Sequence, residues 1–281
     1  MTQTPEAPET PETPETPETA AFTQDLTDGI LTVRLTAPET RNAQGPKFWA
    51  DLAAVGDSLD PSVRAIVLCA DGPSFSAGMD RRMLTPQGIP GQGSMIEFAA
   101  MEPREFEALI ATFQQAFSWW RRCPVVTVAA VGGHAVGAGF QLALACDLIV
   151  VADDVRFSMK EPSLGLVPDL AGTLPLVAAV GYSRALELVV SGRWVEAEEA
   201  VRIGLALTSV PRAELDDAAR EVARSCATAL PGAVASTKTL LADAVLAPST
   251  WAQAHDAQMA AERAAQVIRI RELAAMFAGA R

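Results

Sequence analysis

The sequence predicts an α/β fold in which buried strands alternate with helices and a helical region closes the chain. Three observations carry this prediction. Runs at 63–70, 124–131 and 147–154 read as strands, and 63–70 has too few polar residues to face water, as expected of a sheet strand covered on both sides. The first two lead through glycine-bearing turns into segments with helical spacing, an order that builds a sheet with helices packed on it. From residue 213 onward, the apolar residues recur only at helical intervals.

Each element follows in order. Residues 1–20, MTQTPEAPETPETPETPETA, repeat Pro-Glu-Thr without a branched aliphatic or aromatic residue, so a disordered acidic tail is expected. FTQDLTDGILTVRLT (22–36) reads as a hairpin about Asp28-Gly29. Helical spacing over 47–60 is followed by the strand at 63–70, and then by a loop (71–93) long enough to suggest a functional role. A helix at 103–120 precedes the strand 124–131, the stretch VGGHAVGAGFQLALACDL (131–148) and the strand 147–154. Short helices over 173–203, a last strand at 207–210 and helices at 213–228, 231–246 and 250–278 complete the pattern. The last helix must cover either its own core or a neighbouring subunit. The expected organisation is a tail (1–20), an α/β core (21–211) and a C-terminal helical region (212–281).

Composition narrows the function. The 281 residues are 49% hydrophobic, enough for a substantial core. A net charge of -12 and the lack of a basic stripe argue against a nucleic-acid partner. Cys69, Cys123, Cys146 and Cys226 lie far apart among apolar residues, which suits reduced core thiols and no metal site. The start has no basic, apolar and small-residue signal pattern, so a cytoplasmic location is expected. Pro124–Cys146 contains no Asp, Glu, Lys or Arg and follows Arg121 and Arg122, but its four glycines and the Asp147 that follows suit a strand, turn and helix better than a membrane span.

The glycines do not mark a dinucleotide site, because Gly137-Ala138-Gly139 is followed by Phe140-Gln141-Leu142 and the third glycine is missing. Neither a Gly-x-Ser-x-Gly elbow nor a phosphate loop is present. A strand that turns through glycines into a helix leaves free backbone N–H groups at the helix start, suited to a developing oxyanion. Enolate formation from a thioester calls for a second such donor, from another glycine turn.

PSFSAGMD (73–80), GHAVGAGFQLALACDLIV (133–150) and FSMKEPSLGLVPDLAGTLPL (157–176), with PETRNA (38–43) and ALELVVSGRWVEAEEAVRIGLA (185–206), resemble the enoyl-CoA hydratase/isomerase family, the crotonases, from about residue 22 to the end. The resemblance implies a crotonase-like spiral of ββα turns with a C-terminal helical oligomerisation region. It further implies an acyl-CoA thioester substrate, coenzyme A being part of that substrate and not a bound cofactor, and a homotrimer or homohexamer. The oxyanion donors would be the backbone N–H groups of Met79 and Ala138. Ser76, Ala77, Gly78 and Asp80, with Gly137, would line the coenzyme A path, and Arg41 would lie near its phosphates. Of the hydratase's two glutamates, one matches Glu161 and the other position holds Gln141, an amide that cannot exchange a proton at useful pH. Asp169, eight residues after Glu161, resembles the second acid of dienoyl-CoA isomerases. The expected chemistry is therefore single-base isomerisation at Glu161, with hydration by a modified mechanism, or acyl-CoA binding with little or no turnover, as the alternatives. Met95, Ile96, Phe98 and Met101, in the variable stretch 86–107, suggest an apolar acyl pocket.

Overall fold

The computed structural model describes residues 21–245 and 251–279, so the Pro-Glu-Thr segment lies outside the described residues. The chain opens with the antiparallel hairpin β1 (Phe22–Thr27) and β2 (Ile30–Leu35), which turns at Asp28 and Gly29 with φ of 51° and 75°. Positive φ at both central residues is what a two-residue hairpin requires. Helix α1 (Pro46–Asp57) leads to β3 (Ala65–Ala70), and a short α2 (Met95–Ala99) precedes the long α3 (Pro103–Arg122). Next come β4 (Val126–Val131), β5 (His134–Val136) and α4 (Ala138–Ala145), an order repeated by β6 (Leu148–Ala152), β7 (Arg156–Ser158) and α5 (Thr173–Val180). Then follow α6 (Tyr182–Ser191), β8 (Val195–Glu196), α7 (Ala197–Arg202), β9 (Thr208–Val210), α8 (Leu215–Ala227), α9 (Pro231–Val245) and α10 (Trp251–Gly279).

The strands form two sheets. The larger has the order β1-β2-β3-β4-β6-β9 and is parallel from β2 onward, while the smaller has the order β5-β7-β8. Ser76 bridges Ala135 in parallel, so the segment after β3 lies along the edge of the small sheet. Three successive lengths of chain therefore repeat one unit: a strand in the large sheet, an extended piece beside the small one, and a helix. This is the spiral of ββα turns.

Alternation along the strands explains the double burial. Val33, Leu35, Ile66, Leu68, Ala129 and Val131 share a core with Trp49, Phe117 and Trp120 of α1 and α3. Val67, Cys69, Val128, Ala130 and Val150 lie in a second core with Leu215, Ala219 and Ala223 of α8. Helix α8 therefore covers the large sheet, and the last helix, α10, packs on α3, α2 and α5 of its own chain. The four cysteines are free thiols. Among the described residues, no helix is long and apolar enough to cross a membrane. The strands of the small sheet, two or three residues long, are too short for an alternation pattern to reveal.

Candidate active site

Helix α4 is buried over all eight of its residues, and Gln141 is its one polar side chain, 1% exposed. A buried amide must find partners for both ends. Its Oε1 accepts the backbone N–H groups of Leu170 (2.9 Å) and Gly172 (3.3 Å), and its Nε2 donates to Glu161 Oε1 at 2.8 Å. The amide thus joins two segments that follow β7: the short 3-10 turn Glu161–Leu164, and the loop ahead of α5.

Glu161 heads that turn. It is partly exposed where it lines a cavity of about 370 Å³, but its Oε2 is buried without a hydrogen-bond partner. Burial in apolar surroundings raises its carboxyl to about 7, against the smaller opposing effect of the Gln141 hydrogen bond. Asp169 lines the same cavity at 8% exposure. Its carboxyl is held well above the ordinary range, first by burial and then by the neighbouring charges of Glu262 and Glu161. The site therefore pairs a carboxyl poised near neutrality with a second one shifted toward its acid form.

Two glycine turns meet beside this pair. Gly78, at φ 88°, lies so close to the β5–α4 turn that a β-carbon there would come within 2.4 Å of Val136 O. Gly137, at φ 50°, would bring a β-carbon to 3.1 Å from Glu161 Oε1, so glycine leaves room for the carboxylate. The next residues, Met79 and Ala138, both line the cavity, and among the described residues neither backbone N–H has a hydrogen-bond partner. Two unspent donors beside a raised carboxyl can stabilise an enolate oxygen while a proton moves.

The other expected residues separate into two groups. Ala77, Gly78 and Gly137 line the cavity. Ser76 does not: it is fully buried, its Oγ donating to Asn42 O at 2.7 Å and accepting from Gln44 Nε2 at 3.0 Å, so it braces the turn from behind. Asp80 also lies outside the lining, because its carboxylate caps the turn at Arg82 N (2.9 Å) and pairs with the Arg82 guanidinium at 2.7 Å. Arg41 is exposed and absent from the lining, and its carbonyl accepts Ala77 N–H at 2.8 Å. The cations on the cavity wall are Arg81 and Lys160.

The apolar wall comes from Trp49, Leu84, Met95, Phe106, Ile110 and Phe113. Of the residues expected to shape an acyl pocket, Met95 is on it, whereas Ile96 is 42% exposed and Phe98 packs against Phe106 and Phe113. Gln266 and Ile270 of α10 also face the cavity, and sequence reasoning missed them. Larger hollows of about 550 and 530 Å³ lie elsewhere, the first beside α1 and α3 and the second beneath α9. Neither is lined by the paired carboxyls or the glycine-turn donors, so the smaller cavity is the candidate site.

A family model described as enoyl-CoA hydratase/isomerase matches residues 25–280. Two similar proteins carry the name "putative enoyl-CoA hydratase". One, from Thermus thermophilus, is 36% identical over 215 residues, 75% of this chain and 80% of that protein. The other, from Thermobifida fusca, was solved in complex with acetoacetyl-CoA; it matches with a TM-score of 0.77 at 38% identity, over 90% of this chain and 96% of that one. The human mitochondrial Delta(3,5)-Delta(2,4)-dienoyl-CoA isomerase is 32% identical over 217 residues, 75% of this chain and 65% of that protein.

Proposed function

The chain belongs to the enoyl-CoA hydratase/isomerase family, and from that premise we propose that it moves a carbon–carbon double bond in an acyl-CoA thioester, with Glu161 as the base. The thioester carbonyl would lie against the N–H groups of Met79 and Ala138. Glu161, ionised, takes a proton from the carbon beside the thioester, and the negative charge passes to the oxygen held by those two donors. The same carboxyl can return the proton to a more distant carbon. With a conjugated dienoyl chain, Asp169 in its acid form can supply that proton instead.

The observation that carries this reading is the position of Gln141. By the family resemblance its amide stands where the hydratases carry a second glutamate, and its Nε2 already donates to Glu161 Oε1. A donor there orients the base and favours its charged form, but it can neither take a proton from water nor give one to carbon. Water addition by the Glu161–Asp169 pair is a second reading, favoured by the presence of both carboxyls on one cavity wall. A carrier that holds acyl-CoA without turning it over is a third, and the raised Glu161 carboxyl weighs against it.

The acyl chain would run along the apolar wall, with coenzyme A leaving past Ala77 and Gly78 toward Arg81 and Lys160; it acts as part of the substrate and not as a resident cofactor. We further propose a homotrimer or homohexamer in the cytoplasm, with the helical region from residue 212 supplying subunit contacts. Incubation with 2-enoyl, 3-enoyl and 3,5-dienoyl thioesters, followed by product analysis, tests the reaction. The expected product is a shifted double bond. A 3-hydroxyacyl thioester as the main product from the 2-enoyl substrate would establish hydration, and binding with no product would leave a carrier.

A further inference from the structure

The loop that carries Asp169 is held from two sides. Ala171 has a φ of 62°, a left-handed conformation that a non-glycine residue adopts only where the surroundings enforce it. Its neighbours' N–H groups, at Leu170 and Gly172, both go to Gln141 Oε1 on α4. The N–H of Ala171 itself goes the other way, to Glu262 Oε2 of α10 at 2.9 Å.

Helix α10 makes further contacts with the same loop. Glu262 Oε1 accepts from the Thr173 hydroxyl, which also accepts from Gln258 Nε2 at 2.8 Å. Gln266 Oε1 accepts Val167 N–H at 3.0 Å, and its side chain also hydrogen-bonds the Asp169 carboxyl. From α3, Gln114 donates to Asp169 O at 2.6 Å. Glu262 is 4% exposed and forms no ion pair among the described residues, and a buried carboxylate of that kind is costly to retain for packing alone.

From this geometry we infer that Glu262 is a positioning residue for the Asp169 acid: it ties down the loop backbone at Ala171 and so sets a carboxylate two residues along the loop from Asp169. The inference rests on the reading of Asp169 as a proton donor. The groups that set the protonation of Asp169 are Glu161 from the turn after β7, Glu262 and Gln266 from α10, and burial itself. Arg263 of α10 is engaged by Gln114 Oε1. The imidazole of His255, lowered to about 4 by burial, is neutral at working pH and lies against the backbone of Ala171. Glu262 is itself raised to about 7 by burial, so its charge acts on Asp169 above neutrality, where Glu161 is also ionised.

The test is a carbon-13 NMR titration of the Asp169 carboxyl, assigned by its loss in Asp169→Asn, in the full chain and in Glu262→Gln. The amide keeps an acceptor for Ala171 N–H and removes the charge. The Asp169 midpoint is expected to fall by on the order of one pH unit in Glu262→Gln. The alkaline limb of kcat should move down with it while KM changes little. Glu262→Ala, which also frees the loop, should lower kcat further, and Glu262→Asp should restore part of the Asp169 midpoint. An unchanged Asp169 midpoint in a folded Glu262→Gln protein overturns the inference, whatever the turnover. Parallel assays of Asp169→Asn on the dienoyl thioester decide the proton-donor reading separately: a retained rate there overturns that reading even if the midpoint has moved.

Discussion

Gln141 and Glu161 form a hydrogen-bonded unit in which, on the proposed reading, a neutral amide tunes and aims the base. The amide's donation to Glu161 Oε1 favours the charged carboxylate, while burial opposes it. Only the ionised form can abstract a proton, so kcat is expected to rise with pH through about 7. Gln141→Leu removes the donor, which should raise the Glu161 carboxyl further and move that acidic limb to higher pH. It also leaves the N–H groups of Leu170 and Gly172 without their acceptor, at a cost of about 1–3 kcal/mol each if they stay buried. A pH–rate profile and a denaturant midpoint for this variant check both effects, and an unmoved acidic limb would show that the amide does not tune the base.

At the scale of elements, the site exists because two strand-to-helix turns are pressed together by the spiral. Gly78 is the tightest point of that contact, and Gly78→Ala meets both Val136 O and a left-handed backbone. The turn must then shift, carrying Met79 N–H with it, and kcat is expected to fall by about 10²-fold or more with a stability loss of ~2 kcal/mol or more. Steady-state kinetics beside thermal unfolding would reveal this, and a rate near that of the parent would remove Met79 from the oxyanion role. These turns were legible in the sequence because glycine and a buried strand end leave a local signature. Glu161 and Asp169 were legible through their motif and spacing. Gln266, Ile270 and Glu262 were not, because the path of α10 across α3 and α5 is set by tertiary packing some hundred residues away in sequence. Ser76 and Asp80 fall outside the cavity lining for a related reason. In an irregular turn, neighbouring side chains point in directions that no periodicity dictates, and these two turn to Asn42 and Arg82.

For the whole molecule, three acids gathered in one buried place mean that function is held at the expense of stability. Glu161 and Glu262 are both raised from 4.5 to about 7 in the folded protein. Between those values the unfolded chain has released protons that the folded chain still binds, so these two groups make stability fall as pH rises from about 4.5 to about 7, and Asp169, raised in the same direction, adds to the fall. Glu161→Gln removes one of these groups and keeps an acceptor for Gln141. It should make the protein more stable than the parent at pH 8, on the order of 1–3 kcal/mol, with little difference at pH 5. Denaturant unfolding at both pH values measures this, and an equal gain at both would mean that titration of Glu161 is not its source.

The same substitution decides whether Glu161 is the base. Turnover of a 3-enoyl thioester by Glu161→Gln is compared with that of the parent at pH 8, with binding of the acyl-CoA measured alongside. If Glu161 is the base, kcat falls by about 10²–10⁴-fold while affinity stays within a few-fold. A rate close to that of the parent would contradict the account.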